Sequence, residues 1–244
     1  MGEQKPLHIL AKPEDVAERV VVAGDPARVR QLAGMLDGAR LVNENRGFLT
    51  YTGRYEGVEV TVATHGIGAP SAAIVFEELI VLGARAIVRL GTCGGMVSGM
   101  AVGDVVIPYG AAHRGGGTLG MYIADGYLPA VPHPHLLSAL VESAEELGVS
   151  YRLGVVFSSD AFYAEDPEFV RRWSSRGVVA VEMECATLFT LGLLRRVKTG
   201  ALLVVSDVLV EGPAKEMATA EELREVVERA AHVAFRALLK APLD

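Results

Sequence analysis

Residues 86–95 have the sequence Ala86-Ile87-Val88-Arg89-Leu90-Gly91-Thr92-Cys93-Gly94-Gly95. The apolar first half is typical of a short β-strand that is buried on both faces of a sheet. A charge such as Arg89 is costly there unless it is paired. The glycines and Thr92 predict a turn after the strand, whose backbone N–H groups could point at an anion. Because ligands of open α/β sheets bind outside the carboxyl ends of strands, this stretch predicts either a phosphate site or a structural ion pair of Arg89 beside a tight turn.

Short apolar runs alternate with helical patterns along the rest of the chain. Strands are predicted at residues 19–23, 48–55, 58–64, 86–90, 104–108, 153–157, 178–181 and 201–205, and helices at 27–36, 66–82, 136–147, 167–174, 184–194 and 219–239. This alternation predicts an α/β fold with a central mixed β-sheet flanked by helices. The composition shows no linker and no internal repeat, so residues 1–244 are expected to form a single domain.

The composition limits the classes of function. A formal net charge of −7 over 244 residues argues against a nucleic-acid partner, because binding to a phosphate backbone needs a basic face. The start of the chain lacks an apolar signal region, and no apolar run is long enough to span a membrane. The two cysteines, Cys93 and Cys185, lie far apart in sequence and fit a reducing compartment, so we expect a cytoplasmic protein. Arginine outnumbers lysine and amide side chains are scarce, which favours a thermophilic source.

A second candidate anion site follows the first predicted strand. Gly24 ends that strand, Asp25 is positioned as a helix N-cap, and Arg28 lies about one turn into the helix. The free N–H groups of a helix N-terminus favour an anion, and Arg28 could close over it. Alone, this pattern fits an ordinary strand–helix turn with a surface arginine. Together with Arg89 and Thr92, it places two cationic turns at one edge of the sheet and favours an anion site.

Carboxylates follow two other predicted strands. Glu182 and Glu184 can accept hydrogen bonds from sugar hydroxyls, or they can lie at a helix N-terminus where the dipole favours them. We expect one of them to take each role. Asp207 follows a buried strand and suits a general acid, although a turn or N-cap aspartate fits the spacing as well. Arg46 precedes a predicted hairpin, and its spacing alone indicates only a solvated charge.

Two motif matches are rejected. Residues 115–120 match G-x-G-x-x-G, but no helical pattern follows and no acidic residue lies about 20 positions further on, so we predict no dinucleotide site. His133 and His135 have no cysteine, histidine or carboxylate cluster at ligand spacing near them, so we predict no metal site. Residues 109–132 show no clear periodicity and are predicted to be a long loop that is functional or contacts a partner.

Six motifs, taken in order, resemble the hexameric nucleoside phosphorylase family. This family includes bacterial-type purine nucleoside phosphorylases, uridine phosphorylases and archaeal 5′-methylthioadenosine phosphorylases. The motifs are Gly24-Asp25-Pro26-x-Arg28, Asn45-Arg46-Gly47, Arg89-x-Gly91-Thr92-x-Gly94, Phe162-Tyr163, Val181-Glu182-Met183-Glu184 and Ser206-Asp207. The resemblance covers nearly the whole chain. The runs at 43–49, 157–166 and 182–189 look most like the archaeal methylthioadenosine branch.

The resemblance assigns roles to these residues. Phosphate would be held by the Gly24 backbone, Arg28, Arg89 and Thr92, with Arg46 reaching across from a neighbouring subunit. The ribose would be held by Glu184, by the Met183 backbone and by a His8 that the neighbour donates. Phe162, Glu182 and Asp207 would bind the purine, with Asp207 as the acid that serves N7. The family also implies a homo-oligomer, a hexamer built as a trimer of dimers, that uses phosphate as co-substrate and no cofactor.

The implied reaction is phosphorolysis of purine nucleosides, including 5′-methylthioadenosine, to the free purine and (5-methylthio)ribose 1-phosphate. The arginine that some bacterial purine enzymes place after the catalytic aspartate has no clear counterpart, and Lys215 and Arg224 are candidates. Asp166 and Glu168 stand where uridine phosphorylases have the Gln and Arg that read uracil, which argues against a pyrimidine. Three alternatives stay open: a uridine phosphorylase, a hydrolytic nucleosidase, which should lack the phosphate arginines, and a binding regulator without turnover.

Overall fold

The computed structural model describes residues 5–164, 166–210 and 217–243. The strands are β1 (Arg19–Ala23), β2 (Asp37–Asn43), β3 (Thr50–Tyr55), β4 (Val58–Thr64), β5 (Ala86–Gly95), β6 (Val105–His113), β7 (Tyr151–Ser158), β8 (Val178–Glu182) and β9 (Lys198–Val208). The helices are α1 (Pro26–Ala33), α2 (Ala69–Val81), α3 (Gly117–Tyr122), α4 (Pro134–Glu146), α5 (Phe169–Ser174), α6 (Cys185–Arg195) and α7 (Arg224–Lys240).

β5 is the central strand of one sheet with the order β2-β3-β4-β1-β5-β8-β7-β6-β9. Its first half pairs in parallel with β1, and its whole length pairs in parallel with β9. At its end, Gly94 and Gly95 pair with the antiparallel β8, so strands β5, β8, β7, β6 and β9 close into a ring. Parallel and antiparallel pairs are both present, which confirms the predicted mixed sheet.

Helices cover both faces of the sheet because the central strands are apolar on both sides. In β1, Val21 belongs to a core shared with α1, α4 and α7, whereas Val20 and Val22 belong to a core shared with α2 and α6. All three valines are fully buried. The predicted α/β fold is confirmed. No helix of the described segments is long and apolar enough to cross a membrane.

Local signals in the sequence placed several element ends correctly. Asp25 caps α1, because its Oδ1 accepts the N–H of Ala27 at 2.8 Å. Glu56 and Gly57 join β3 to β4 with φ angles of 48° and 80°, as a two-residue hairpin turn requires. Thr219 and Glu222 exchange the hydrogen bonds of a capping box, but α7 begins only at Arg224.

Other boundaries differ from the predictions, and some of them affect the site. The predicted turn at 91–95 is wrong, because β5 continues to Gly95 and its pairing with β9 runs through the glycines. β9 extends to Val208, so Asp207 lies inside a strand and not after it. Residues 109–132 are not a single loop, since β6 extends to His113 and α3 follows. β2 was not predicted because its side chains are mostly exposed and show no apolar alternation.

Candidate active site

Arg89 is buried in the middle of β5, with 4% of its surface exposed. Its Nη2 donates to the Glu184 carboxylate and lies 3.5 Å from the Glu182 carboxylate. Burial by itself lowers the pKa of Arg89, but these two carboxylates outweigh it and the pKa is raised, so the guanidinium stays charged. Its Nε and Nη1 have no hydrogen-bond partner among the described residues. The predicted structural ion pair is therefore present, and donors are left for a further acceptor.

Glycine at position 91 makes room for this side chain. Arg89 folds back along β5, so a Cβ on Gly91 would lie 1.8 Å from Arg89 Nη1. That separation is far below any van der Waals contact. A larger residue at 91 would therefore push the guanidinium away from Glu184, which explains why a glycine stands two positions after the arginine in a regular strand.

The two glutamates at the end of β8 have different contacts. Glu182 Oε2 accepts the N–H groups of Glu184 and Cys185 at 2.8 and 2.9 Å, so this carboxylate stabilises the start of α6. Ser158 donates its hydroxyl to the other oxygen of Glu182. Both oxygens of Glu182 are thus engaged within the protein, and its assignment to the base stays a prediction.

Glu184 is the carboxylate that faces the arginine. Its Oε1 accepts the N–H of Gly68 at 2.7 Å and its Oε2 accepts from Arg89. Burial raises the pKa of Glu184, but Arg89 and His65 outweigh it and the pKa is lowered, so the group is ionised at neutral pH. Both oxygens of Glu184 are thus engaged within the protein as well, and its assignment to the ribose hydroxyls stays a prediction.

Gly24 and Arg28 lie beside this pair, as predicted. A Cβ on Gly24 would lie 2.9 Å from the Gly66 carbonyl oxygen and 3.4 Å from His65 Cε1, so the turn packs directly on the residues that follow β4. Burial lowers the pKa of Arg28; Asp25 opposes that shift and Arg89 adds to it. Arg28 and Arg89 are thus close enough to repel each other, and an anion between them would relieve this repulsion.

Asp207 lies in β9 directly opposite Gly94 of β5. Its Oδ1 accepts a hydrogen bond from the Ser206 hydroxyl at 2.8 Å. Its Oδ2 would lie 3.4 Å from a Cβ on Gly94, so the carboxylate sits over the end of β5. Because β9 pairs with β5, the Asp207 carboxylate lies at the carboxyl end of the strand that carries Arg89. Asp207 belongs to a strand and not to a turn.

The other predicted ligand residues lie in or just after neighbouring strands. Thr92 is half-buried in β5, and Met183 is half-buried between the two glutamates. Phe162 is 56% exposed and packs edge-on against Tyr163 with the ring centroids 5.0 Å apart. An exposed aromatic ring of this kind is available to stack on a planar ligand.

The N-terminal segment that carries His8 and the turn that carries Arg46 are joined to each other. Asn45 Nδ2 donates to the His8 carbonyl oxygen at 3.0 Å, which ties the turn that carries Arg46 to the N-terminal segment. Arg46 is exposed and has a left-handed backbone with φ of 56°. Among the described residues, no ion pair or hydrogen bond joins His8 or Arg46 to Arg28, Arg89 or Glu184.

Glu78 of α2 fixes His8, and sequence reasoning missed it. Its carboxylate accepts the backbone N–H groups of Leu7, His8 and Ile9 at 2.9, 2.9 and 2.6 Å, and His8 Nδ1 lies 2.7 Å away. Burial raises the pKa of Glu78, but these hydrogen bonds outweigh it and the pKa is lowered. With Nδ1 donating to Glu78, Nε2 is the ring nitrogen left for another partner. No sequence signal indicates the pair, because 70 residues separate the two.

Of the residues considered for assisting Asp207 or reading a pyrimidine, the three that the structure describes have other partners. Arg224 lies 3.9 Å from Glu221 at the exposed start of α7, and Lys215 lies outside the described residues. Asp166 pairs with Arg172 at 3.0 Å, and Glu168 pairs with Arg171. Among the residues that the structure describes, no group of three histidine, cysteine or carboxylate side chains could hold a metal ion.

Comparison with known proteins identifies the family. Residues 18–241 match the Phosphorylase superfamily. The chain belongs to this superfamily. A guanosine phosphorylase of Halorubrum lacusprofundi is 38% identical over 95% of this chain and 97% of its own length. A DeoD-type purine nucleoside phosphorylase of Roseobacter denitrificans is 40% identical over 94% and 99%, and a uridine phosphorylase of Thermococcus kodakarensis is 38% identical over 81% and 76%.

A solved member of the Phosphorylase superfamily shares the fold. The crystal structure of purine nucleoside phosphorylase from Toxoplasma gondii in complex with immucillin-H has a TM-score of 0.86 and 28% identity, and the match covers 98% of this chain and 96% of that one. The resemblance seen in the sequence motifs is therefore confirmed at the level of the superfamily. Nucleosides and phosphate fit this superfamily as substrates, whereas the methylthioadenosine branch stays a prediction.

Proposed function

We propose that this protein cleaves purine nucleosides by phosphorolysis and releases the free purine and ribose 1-phosphate. The observation that carries the proposal is the buried Arg89, whose Nε and Nη1 have no partner among the described residues, beside Arg28 and the Gly24 turn. Two cations and a glycine turn at the edge of a sheet match the requirements of a phosphate dianion. The relatives named guanosine phosphorylase and purine nucleoside phosphorylase, which the chain matches over nearly its whole length, support it.

The geometry supports the chemistry in three steps. Phosphate held by Arg28, Arg89, Thr92 and the Gly24 backbone would lie next to Glu184, the proposed ligand of the ribose hydroxyls. As the bond between C1′ and the base nitrogen breaks, the ribose gains oxocarbenium character, which the phosphate dianion stabilises before its oxygen bonds to C1′. The departing purine gathers negative charge, and Asp207 neutralises it by giving a proton to N7. Positioning and preorganised charge supply most of the rate, and the acid adds about 10²–10⁴-fold.

We expect Gly91→Ala to displace the Arg89 guanidinium without removing any polar group. Loss of its charge-assisted hydrogen bonds predicts that the KM for phosphate rises about tenfold or more. Steady-state rates at varied phosphate measure this change. Gly95→Ala is the matched control in the same strand, because its Cβ would meet only Met100 at 3.4 Å. If folded Gly91→Ala protein keeps the phosphate KM of the wild type, Arg89 does not bind phosphate.

The experiment that tests the function is purine release with and without phosphate. Inosine, adenosine and guanosine are each supplied to protein from which phosphate has been rigorously removed, and phosphate is then added back. Phosphorolysis predicts release only after the addition and recovery of ribose 1-phosphate. Equal release without phosphate would establish a hydrolytic nucleosidase, and binding without any release would establish a regulator.

To identify the preferred nucleoside, the same release assay is repeated with 5′-methylthioadenosine and with uridine. We propose methylthioadenosine as a further substrate because residues 43–49, 157–166 and 182–189 resemble the archaeal methylthioadenosine branch. Uridine is the second candidate, since one relative is named uridine phosphorylase. The engagement of Asp166 and Glu168 with Arg172 and Arg171 disfavours it, because these carboxylates offer no neutral amide or cation to a uracil ring.

We propose that the active protein is a homo-oligomer, a hexamer built as a trimer of dimers. The segments that carry His8 and Arg46 are joined by a hydrogen bond, and among the described residues neither side chain has an ion pair or hydrogen bond with Arg28, Arg89 or Glu184, which is compatible with a role in a neighbour's site. Phosphate is the co-substrate, and we propose no cofactor. The cytoplasmic location and thermophilic source stay predictions from composition.

Mixing two inactive variants tests the shared sites. In an exchanged oligomer of Arg46→Ala and Asp207→Ala subunits, some sites combine a wild-type Asp207 from one chain with a wild-type Arg46 from its neighbour. We therefore expect activity well above that of either variant alone, measured by purine release after subunit exchange. Each variant incubated without the other is the control. No recovery despite confirmed exchange would contradict a site built from two chains.

A further inference from the structure

Two residues with unpaired buried polar atoms, His65 and Arg89, lie close to each other. Among the described residues, seven have buried side-chain nitrogen or oxygen atoms without a hydrogen-bond partner, and these are Thr64, His65, Arg89, His133, Ser143, Trp173 and Thr190. His65 directly follows β4 and donates its backbone N–H to Ala23 of β1, and Arg89 pairs with Val22 of β1, so these two lie at the same end of the sheet. Buried polar atoms are nearly always paired in folded proteins, so this cluster indicates a ligand.

The His65 ring lies beside the Gly24 turn. It is fully buried, and its backbone N–H donates to the Ala23 carbonyl oxygen at 2.9 Å. Its ring packs edge-on against Phe76 with the centroids 5.4 Å apart. The atom that faces Gly24 is Cε1, which would lie 3.4 Å from a Cβ there. Because Cε1 is bonded to both nitrogens, both of them lie near the Gly24 turn, where phosphate is proposed to bind.

The groups around His65 keep its ring neutral. Burial lowers its pKa to about 4; Glu184 opposes this shift, whereas Arg89 from β5 and Arg28 from α1 add to it. The Gly66 carbonyl oxygen also favours the charged ring, but it forms no hydrogen bond with it of normal geometry. At neutral pH one ring nitrogen therefore carries a hydrogen that has no acceptor of normal geometry among the residues that the structure describes.

We infer that His65 is a further phosphate-binding residue, whose neutral ring N–H donates to an oxygen of the anion held at the Gly24 turn. The inference rests on the proposed function, because it takes phosphate to be the ligand of Arg28 and Arg89. A neutral donor suits this position, since the two arginines already supply the charge that balances a dianion. In the free protein the unpaired ring N–H of His65 lowers stability. Phosphate binding would give this N–H an acceptor and remove that cost.

Replacing His65 with leucine should have opposite effects on the free protein and on phosphate binding. His65→Leu removes both nitrogens at similar volume, so we expect a Tm in the absence of phosphate that is no lower than that of the wild type. We expect the Kd for inorganic phosphate, measured by titration calorimetry, to rise about tenfold or more. His65→Gln, which restores an N–H donor, should recover part of this loss. If His65→Leu does not fold, His65→Phe, a ring without nitrogens, replaces it in the same measurement.

Ser143→Ala is the matched control, because Ser143 is another fully buried residue whose hydroxyl has no partner, and it lies in α4 on the opposite face of the sheet. It should leave the phosphate Kd unchanged. A wild-type Kd in His65→Leu, or a rise only in the KM for the nucleoside, overturns the inference. Because phosphate binding is measured without turnover, failure of the wild type to bind phosphate would instead overturn the proposed function.

Discussion

Asp207→Asn should lower kcat for inosine and adenosine by about 10²–10⁴-fold, the usual contribution of a general acid. Asparagine keeps the shape of the side chain over Gly94 and can still accept from Ser206, but it has no proton to give to purine N7. The loss should fall on kcat more than on the KM for phosphate, because Arg28 and Arg89 are untouched. Single-turnover rates at saturating phosphate measure the chemical step directly.

A substrate that does not need the acid separates catalysis from damage to the fold. 7-Methylguanosine carries a positive charge at N7 from the start, so its base leaves without being protonated there. We expect Asp207→Asn to cleave it at nearly the wild-type rate while it fails on inosine. Ser206→Ala, which removes only the hydroxyl that donates to Asp207 Oδ1, should cost much less on both substrates. An equal loss on inosine and 7-methylguanosine would mean that Asp207 is positional or structural.

The sequence predicted those features that depend on neighbouring residues. Asp25 caps α1 and Glu56-Gly57 forms the hairpin turn, because each effect acts over two or three residues. The prediction of a turn at 91–95 is wrong because pairing between distant residues decides the structure there. Glycines favour turns locally, but ten residues of β5 pair with β9, which lies more than 100 positions away, and this pairing overrides the local preference.

Prediction of residue roles in the candidate active site was limited in the same way, because these roles depend on contacts between distant residues. The spacing of Glu182 and Glu184 allowed each of them two roles. Only the structure shows that Glu182 contacts the start of α6 whereas Glu184 contacts Arg89. Glu78 and His65 carried no signal in the sequence, because the residues that lie around them come from distant parts of the chain. The resemblance to a family proposed His8 as a ligand, but it could not indicate the carboxylate that fixes its ring.

Arg89→Ala should both destabilise the protein and abolish tight phosphate binding. It leaves the Glu182 and Glu184 carboxylates buried without their cation, and breaking such a pair costs about 3–5 kcal/mol of unfolding free energy. Burial raises the pKa of Glu184 and Arg89 is the main group that opposes it, so we expect the pKa of Glu184 to be higher in the variant than in the wild type. A carboxylate with a raised pKa stabilises the fold while it is protonated, so the variant should lose stability as the pH rises through that pKa. The wild type, in which the pKa of Glu184 is lowered, should lose this contribution only as the pH falls, and denaturant titrations at several pH values measure both trends.

Arg89→Lys distinguishes phosphate binding from this structural role. Lysine keeps a positive charge beside Glu184, so most of the stability should be retained. It lacks the planar fork by which arginine donates to a carboxylate and to a second acceptor at once. We therefore expect a Tm near that of the wild type together with a KM for phosphate that is raised about tenfold or more, since a hydrogen bond to a charged group is lost. If Arg89→Lys retains the phosphate KM of the wild type, Arg89 serves only the buried carboxylates, and phosphate must be held by Arg28 and the Gly24 turn without it.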